Sequence, residues 1–129
     1  MPFQDIKIID LDVNKTKPSN KAPGLRHMFL ELSASPPGEW TKFFKNERNF
    51  PRHSMWRHAW IEGKYIVVDC VPEEIQQYHL KDLKADVSNS NDKYKEHVNR
   101  VADQNERDTN AAKVEAERLG GIKKGLDFD

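Results

Sequence analysis

Apolar and polar side chains alternate on both sides of Gly63, from Met55 to Val71, as they do in two strands joined by a tight turn. Closing the turn at Glu62-Gly63 or at Gly63-Lys64 leaves the same two faces, because directly opposed residues of a hairpin share a face. One face carries Met55, Ala59, Ile61, Ile66, Val68 and Cys70, with Arg57 as the exception. The other carries Trp56, His58, Trp60, Tyr65, Val67 and Asp69. The first set suits a core and the second suits a surface that binds something.

Two earlier segments read as strands. In Asp5 to Val13 the alternation runs through Ile9, Leu11 and Val13, while Ile6 and Ile8 are out of phase. A bulge near Ile8 and Ile9, or partial cover on both faces, accounts for the break. Leu25 to Ser33 places Met28, Leu30 and Leu32 on one face and His27, Phe29 and Glu31 on the other. Between these strands, residues 14–24 are polar, with two prolines and three lysines, and lack a large apolar anchor. They read as a mobile loop.

Helical patterns fill the remainder. Ser35 is a candidate N-cap for a helix with Trp40, Phe43, Phe44 and Glu47 along one stripe, ended by Phe50-Pro51. Pro72-Glu73-Glu74 opens a second helix, with proline in the first turn and two carboxylates at the positive end of the macrodipole. Ile75, Tyr78, His79, Leu83 and Val87 then share a face. Ser88-Asn89-Ser90-Asn91-Asp92 reads as an interruption, after which a third helix runs from Lys93 to Leu119 and stops at Gly120-Gly121. Its seam is sparse: Tyr94, Val98, Val101, Ala112 and Leu119, with Asn105 among them. Such a seam fits a surface arm or one half of a weak coiled coil.

The order β-β-α-β-β-α plus a long C-terminal helix predicts an α+β fold, with a four-stranded antiparallel sheet covered by helices on one face. The expected division is a core domain over residues 1–87 and a helical arm with a short tail over residues 88–129.

Composition narrows the setting. The chain has 129 residues and a single cysteine, which rules out an internal disulfide framework and suits a reducing, cytoplasmic compartment. No segment is apolar for long enough to span a bilayer. Formal net charge is zero, yet residues 14–60 hold nine Lys/Arg against three Glu, and residues 72–129 hold ten against thirteen Asp/Glu.

Candidate binding residues are Trp56, His58, Trp60, Tyr65 and Asp69 on the hairpin face, with Arg52 and Arg57 beside them. If that face lacks a helix cover, two tryptophans on it mark an interaction surface. If it is the core face, they are packing residues. His58 and Asp69 come directly opposite when Gly63-Lys64 form the turn, an arrangement a general base could use, although a structural cross-strand bond is the commoner meaning. Cys70 lies before a helix start and reads as a small buried hydrophobe rather than a nucleophile. His53 and His58 lack further partners at ligand spacing, so neither a metal nor a cofactor is expected.

These features point to a small non-enzymatic interaction module that self-associates through its C-terminal helix and presents an aromatic hairpin face to a protein partner. An alternative is nucleic-acid binding through the basic and aromatic residues of 15–60, with Lys15, Lys17, Lys21, Arg48, Arg52 and Arg57 on phosphates and Trp56 or Trp60 on bases. A third reading is a small enzyme using His58 and Asp69.

Overall fold

A computed structural model describes residues 3–127. The chain divides into two compact units, Met1–Lys95 and Glu96–Asp129. Strands β1 (Ile8–Pro18), β2 (Arg26–Leu32), β3 (Ala59–Glu62) and β4 (Tyr65–Cys70) form one antiparallel sheet in the order β1-β2-β4-β3. Helix α1 (Gly38–Arg48) joins the two hairpins, and a π-helical turn (Ile75–His79) leads into α2 (Leu80–Gly125). This is the expected α+β class, an antiparallel sheet with a long C-terminal helix.

The hairpin turn falls at Gly63-Lys64, because Glu62 pairs with Tyr65. Gly63 has a φ of 57°, a left-handed conformation that glycine adopts without steric cost. The core lies between one sheet face and the helices. Met28, Leu30, Leu32, Ala59, Ile66, Val68 and Cys70 project into it from the strands. Trp40 and Phe44 of α1 meet them, with Leu83 and Val87 from the first turns of α2. The hairpin face read as suited to a core is therefore the core face.

One local expectation holds and three change. The bulge in β1 is present, at the shift between Ile8↔Leu32 and Asp10↔Glu31. The strand does not end at Val13, however. It continues to Pro18 after a wider irregularity, since Asp12 pairs with Phe29 and Lys17 with His27. The N-cap of α1 is Pro37 rather than Ser35, and it makes no side-chain cap. The run Ser88 to Asp92 does not interrupt a helix, because α2 is continuous through it and past Gly120-Gly121.

The last difference has a tertiary cause. Asn91, only 5% exposed, accepts from the Ile6 backbone N–H at 3.0 Å and from Trp40 Nε1 at 2.9 Å, and donates to the Ile6 carbonyl at 2.9 Å. Ser90 Oγ donates to the Asp86 carbonyl within the helix. Asn91, in a run that looks like a helix breaker, is thus held by the N-terminal segment and α1, and the first unit reaches Lys95.

Candidate functional site

The second face of the sheet holds the candidate site. Alternation along β2, β4 and β3 places His27, Asp69 and His58 in one row across three strands, followed by Phe29, Val67 and Trp60, then Glu31, Tyr65 and Glu62. His58 stands just before β3, and its carbonyl accepts from the Asp69 N–H at 3.0 Å. The expected opposition of His58 and Asp69 is therefore present. Trp60 lies between the two imidazoles, stacked on His58 at 4.9 Å and edge-on to His27 at 5.3 Å. Phe29 and Tyr65 meet edge to face at 5.8 Å.

Val67 and Phe29 on this face are 0 and 7% exposed, so it is partly covered. Part of its cover comes from the segment read as a mobile loop, whose lysines lie against the rings. Lys15 Nζ stands 5.6 Å from the Phe29 ring centre and 5.1 Å from that of Tyr65, and Lys17 Nζ stands 5.9 Å from Phe29. These separations are within the range of cation–π attraction. Tyr65 donates its hydroxyl to Asp12 Oδ2 at 3.2 Å, fastening the start of β4 to β1.

Asp69 is the least satisfied group here. It is 3% exposed, its Oδ2 lies 3.8 Å from Lys21 Nζ, and its buried Oδ1 has no hydrogen-bond partner. A buried carboxylate oxygen without a donor is costly and marks a place where a ligand's N–H or O–H would be favourable. Among the described residues, no side-chain hydrogen bond joins the Asp69 carboxylate to the His58 imidazole, although their backbones are paired. Burial and the Lys21 charge lower the His58 pKa, against the opposing pull of Asp69. A general-base pair needs the orienting bond that is missing here.

The remaining predicted residues lie elsewhere. Trp56 is not on the sheet face, because β3 begins only at Ala59. It stacks against the Arg48 guanidinium, 3.8 Å from its ring centre, and donates from Nε1 to the Arg48 carbonyl at 3.0 Å. Arg48 and Arg52 converge on the buried Asp86, with Nη1–Oδ2 at 2.9 Å and Nη2–Oδ1 at 2.5 Å. His53 meets Asp82 at 2.5 Å. This network ties the 49–58 segment to α2. Desolvation lowers the Arg48 pKa, while the hydrogen bond to Asp86 raises that of Arg52. A groove of about 340 Å³ runs between α1 and the edge strand, lined by Phe44, Lys45, Arg48, His58 and Trp60.

Arg57 belongs to a third cluster, on the helix side of the sheet. Its Nε and Nη2 donate to the two oxygens of Glu74, each at 3.0 Å, and His79 Nε2 lies 3.0 Å from Glu74 Oε1. Those Arg57 bonds hold the Glu74 pKa down at about 2, and burial pushes the Cys70 thiol up to about 12. The Cys70 thiol, Glu74 carboxylate and His79 imidazole lie within 4.8 Å of one another, so they form a donor set able to hold a metal ion. Sequence spacing hides this set, because Glu74 and His79 are five apart. On an α-helix that step turns the side chains well away from each other. A π-helical turn closes its bonds from i to i+5 and brings them together.

Compared with models of protein families, with curated proteins and with solved structures, the chain matches none.

Proposed function

We propose that the chain is a small non-enzymatic interaction module that self-associates through residues 96–125 and uses the His27, His58, Trp60, Tyr65 sheet face as its binding surface. The observation that carries this reading is an apolar seam without cover on the second unit. Val98, Val101, Leu119 and Ile122 are 40, 44, 50 and 49% exposed, and Leu126, just past the helix, is 54% exposed. They recur three and four residues apart within each cluster, with Asn105 and Ala112 between the clusters on the same seam. That is the spacing of coiled-coil core positions, and a polar Asn in such a seam sets register between partners. Helices gain most of their stability in proteins from packing an apolar face. A second copy of the chain supplies that face.

Sedimentation of the full chain over a concentration series tests the reading. The native chain should dimerise. Val98→Asp combined with Val101→Asp should raise the dissociation constant by at least about a hundredfold, since each buried valine contributes about 1.5–3 kcal/mol. A native chain that stays monomeric at high concentration with its helix intact would sink the proposal.

A second reading has one observation in its favour. Lys15, Lys17 and Lys21 gather on the face that holds Phe29, Trp60 and Tyr65. Lysines beside aromatic rings suit single-stranded nucleic acid, where phosphates pair and bases stack. Arg48, Arg52 and Arg57 are engaged by carboxylates, so the lysines would carry the phosphate contacts. Oligonucleotide affinity should then fall steeply with salt and weaken in Lys15→Gln with Lys17→Gln. No binding at low salt removes this reading. No helix among the described residues is long and apolar enough to cross a membrane.

A further inference from the structure

We infer that Cys70, Glu74 and His79 form a binding site for a divalent transition metal of the zinc type, joining the end of β4 to the start of α2. The inference is independent of self-association, because all three residues belong to the first unit.

The donor chemistry comes first. Thiolate, imidazole and carboxylate are the three side-chain ligands that zinc takes, alone or mixed. A mixed sulfur, nitrogen and oxygen set disfavours magnesium and calcium, which want oxygen alone. Geometry agrees with this. With bonds of about 2.0–2.2 Å, the N and O ligands of a tetrahedral zinc lie about 3.3–3.6 Å apart, a few tenths of an ångström more than a hydrogen-bonded pair. His79 Nε2 and Glu74 Oε1 are 3.0 Å apart, so a metal can take the place of the proton they share. The Cys70 thiol lies within the same 4.8 Å group and supplies the third ligand.

Backbone geometry supports the site independently. The turn Ile75–His79 is π-helical, a form rare outside short segments and frequent at functional sites. Its effect here is to align His79 with Glu74, one residue beyond the reach of an α-turn. Cys70 and His79 are almost fully buried, at 0 and 2% exposure, which fixes their positions. The Glu74 side chain is 13% exposed and that of Arg57 is 33% exposed, so the cluster opens to water on that side. A metal enters there, and the fourth coordination position faces the same way.

Arg57 keeps its place when the site is filled. It donates to both Glu74 oxygens, in the role that hydrogen-bond donors to ligating carboxylates commonly have. Binding releases the thiol proton of Cys70 to solvent, His79 ligates as a neutral imidazole with its proton on Nδ1, and the metal's two charges balance the thiolate and carboxylate.

The test uses the full chain with Zn²⁺ or Co²⁺ as the only added metal. Equilibrium dialysis should give one bound Zn²⁺ per chain, and zinc should raise the melting temperature. Co²⁺ should give a thiolate-to-cobalt charge-transfer band together with tetrahedral ligand-field bands. Cys70→Ser, which changes a single atom, should abolish the charge-transfer band. Both Cys70→Ser and His79→Gln should weaken uptake by at least about tenfold. If His79→Gln fails to fold, the serine variant decides alone. Uptake below one equivalent in the native chain overturns the inference. So does uptake that Cys70→Ser leaves unchanged, since the other four histidines would then hold the metal.

Discussion

Asp86→Ala should destabilise the first unit by about 3–5 kcal/mol, the usual loss when one member of a buried ion pair is removed. Asp86 is fully buried and receives both Arg48 and Arg52. Arg48 has little else to turn to, since its side chain is 5% exposed and its Nε is buried without a partner. Removing the carboxylate leaves a guanidinium in a dry site whose one other hydrogen bond is from Nη2 to the Arg57 carbonyl at 2.5 Å. The 49–58 segment should loosen with it, because Arg52 and Trp56 are anchored through the same centre. Urea unfolding followed by tryptophan fluorescence measures both effects. A loss under about 1 kcal/mol would show that Arg48 reaches water without Asp86.

Asn91→Leu is the second large expected effect, a loss of about 3–4 kcal/mol. The substitution keeps the branched shape and heavy-atom count, though with a larger volume, and strands the Ile6 N–H, the Ile6 carbonyl and Trp40 Nε1, each of which then lacks a partner in a buried setting. The costs do not simply add, because the N-terminal segment can pull away and find water. The same bonds decide where the chain tolerates truncation. A chain ending at Lys95 should fold and keep the native near-ultraviolet spectrum, whereas one ending at Asn89 should lose about as much stability as Asn91→Leu. Equal stability of the two truncated chains would show that Asn91 contributes little.

The faces of the hairpin and its turn were legible because they depend only on alternation and on Gly63. The opposition of His58 and Asp69 followed from the same register. The partner across β2 was not legible. That His27 joins the row depends on β2 pairing with β4, and no local pattern encodes a pairing between strands so distant in sequence. Trp56 was misplaced for a related reason. Its alternation with His58 and Trp60 imitates a strand, but the cation–π and hydrogen-bond contacts with Arg48 hold it to the end of α1 instead.

Two polar segments were misread in opposite ways. Ser88 to Asp92 has the composition of a break, since Ser, Asn and Asp compete with the backbone for hydrogen bonds. In the fold, Asn91 spends that capacity on Ile6 and Trp40, and the helix continues. Residues 14–24 have no apolar anchor, yet Lys15, Lys17 and Lys21 hold the segment near the sheet through aromatic rings and Asp69. The Cys70, Glu74 and His79 group was invisible because an α-helical period is the ordinary assumption after Pro72-Glu73-Glu74, and the π-turn departs from it.

The strand order β1-β2-β4-β3 also dictates a sequence of events in folding. Each hairpin, β1 with β2 and β3 with β4, closes over a short loop, and such closures take microseconds. The central seam between β2 and β4 joins residues separated by the whole of α1 and its flanking loops, so it carries the larger entropy of closure. Formation of that central seam is then the step expected to limit the rate of folding. The His27, Asp69 and His58 row straddles that seam, so it is assembled only when the seam has formed. A ligand for the row would accordingly bind the finished sheet and neither hairpin alone, and it would slow unfolding more than it speeds refolding.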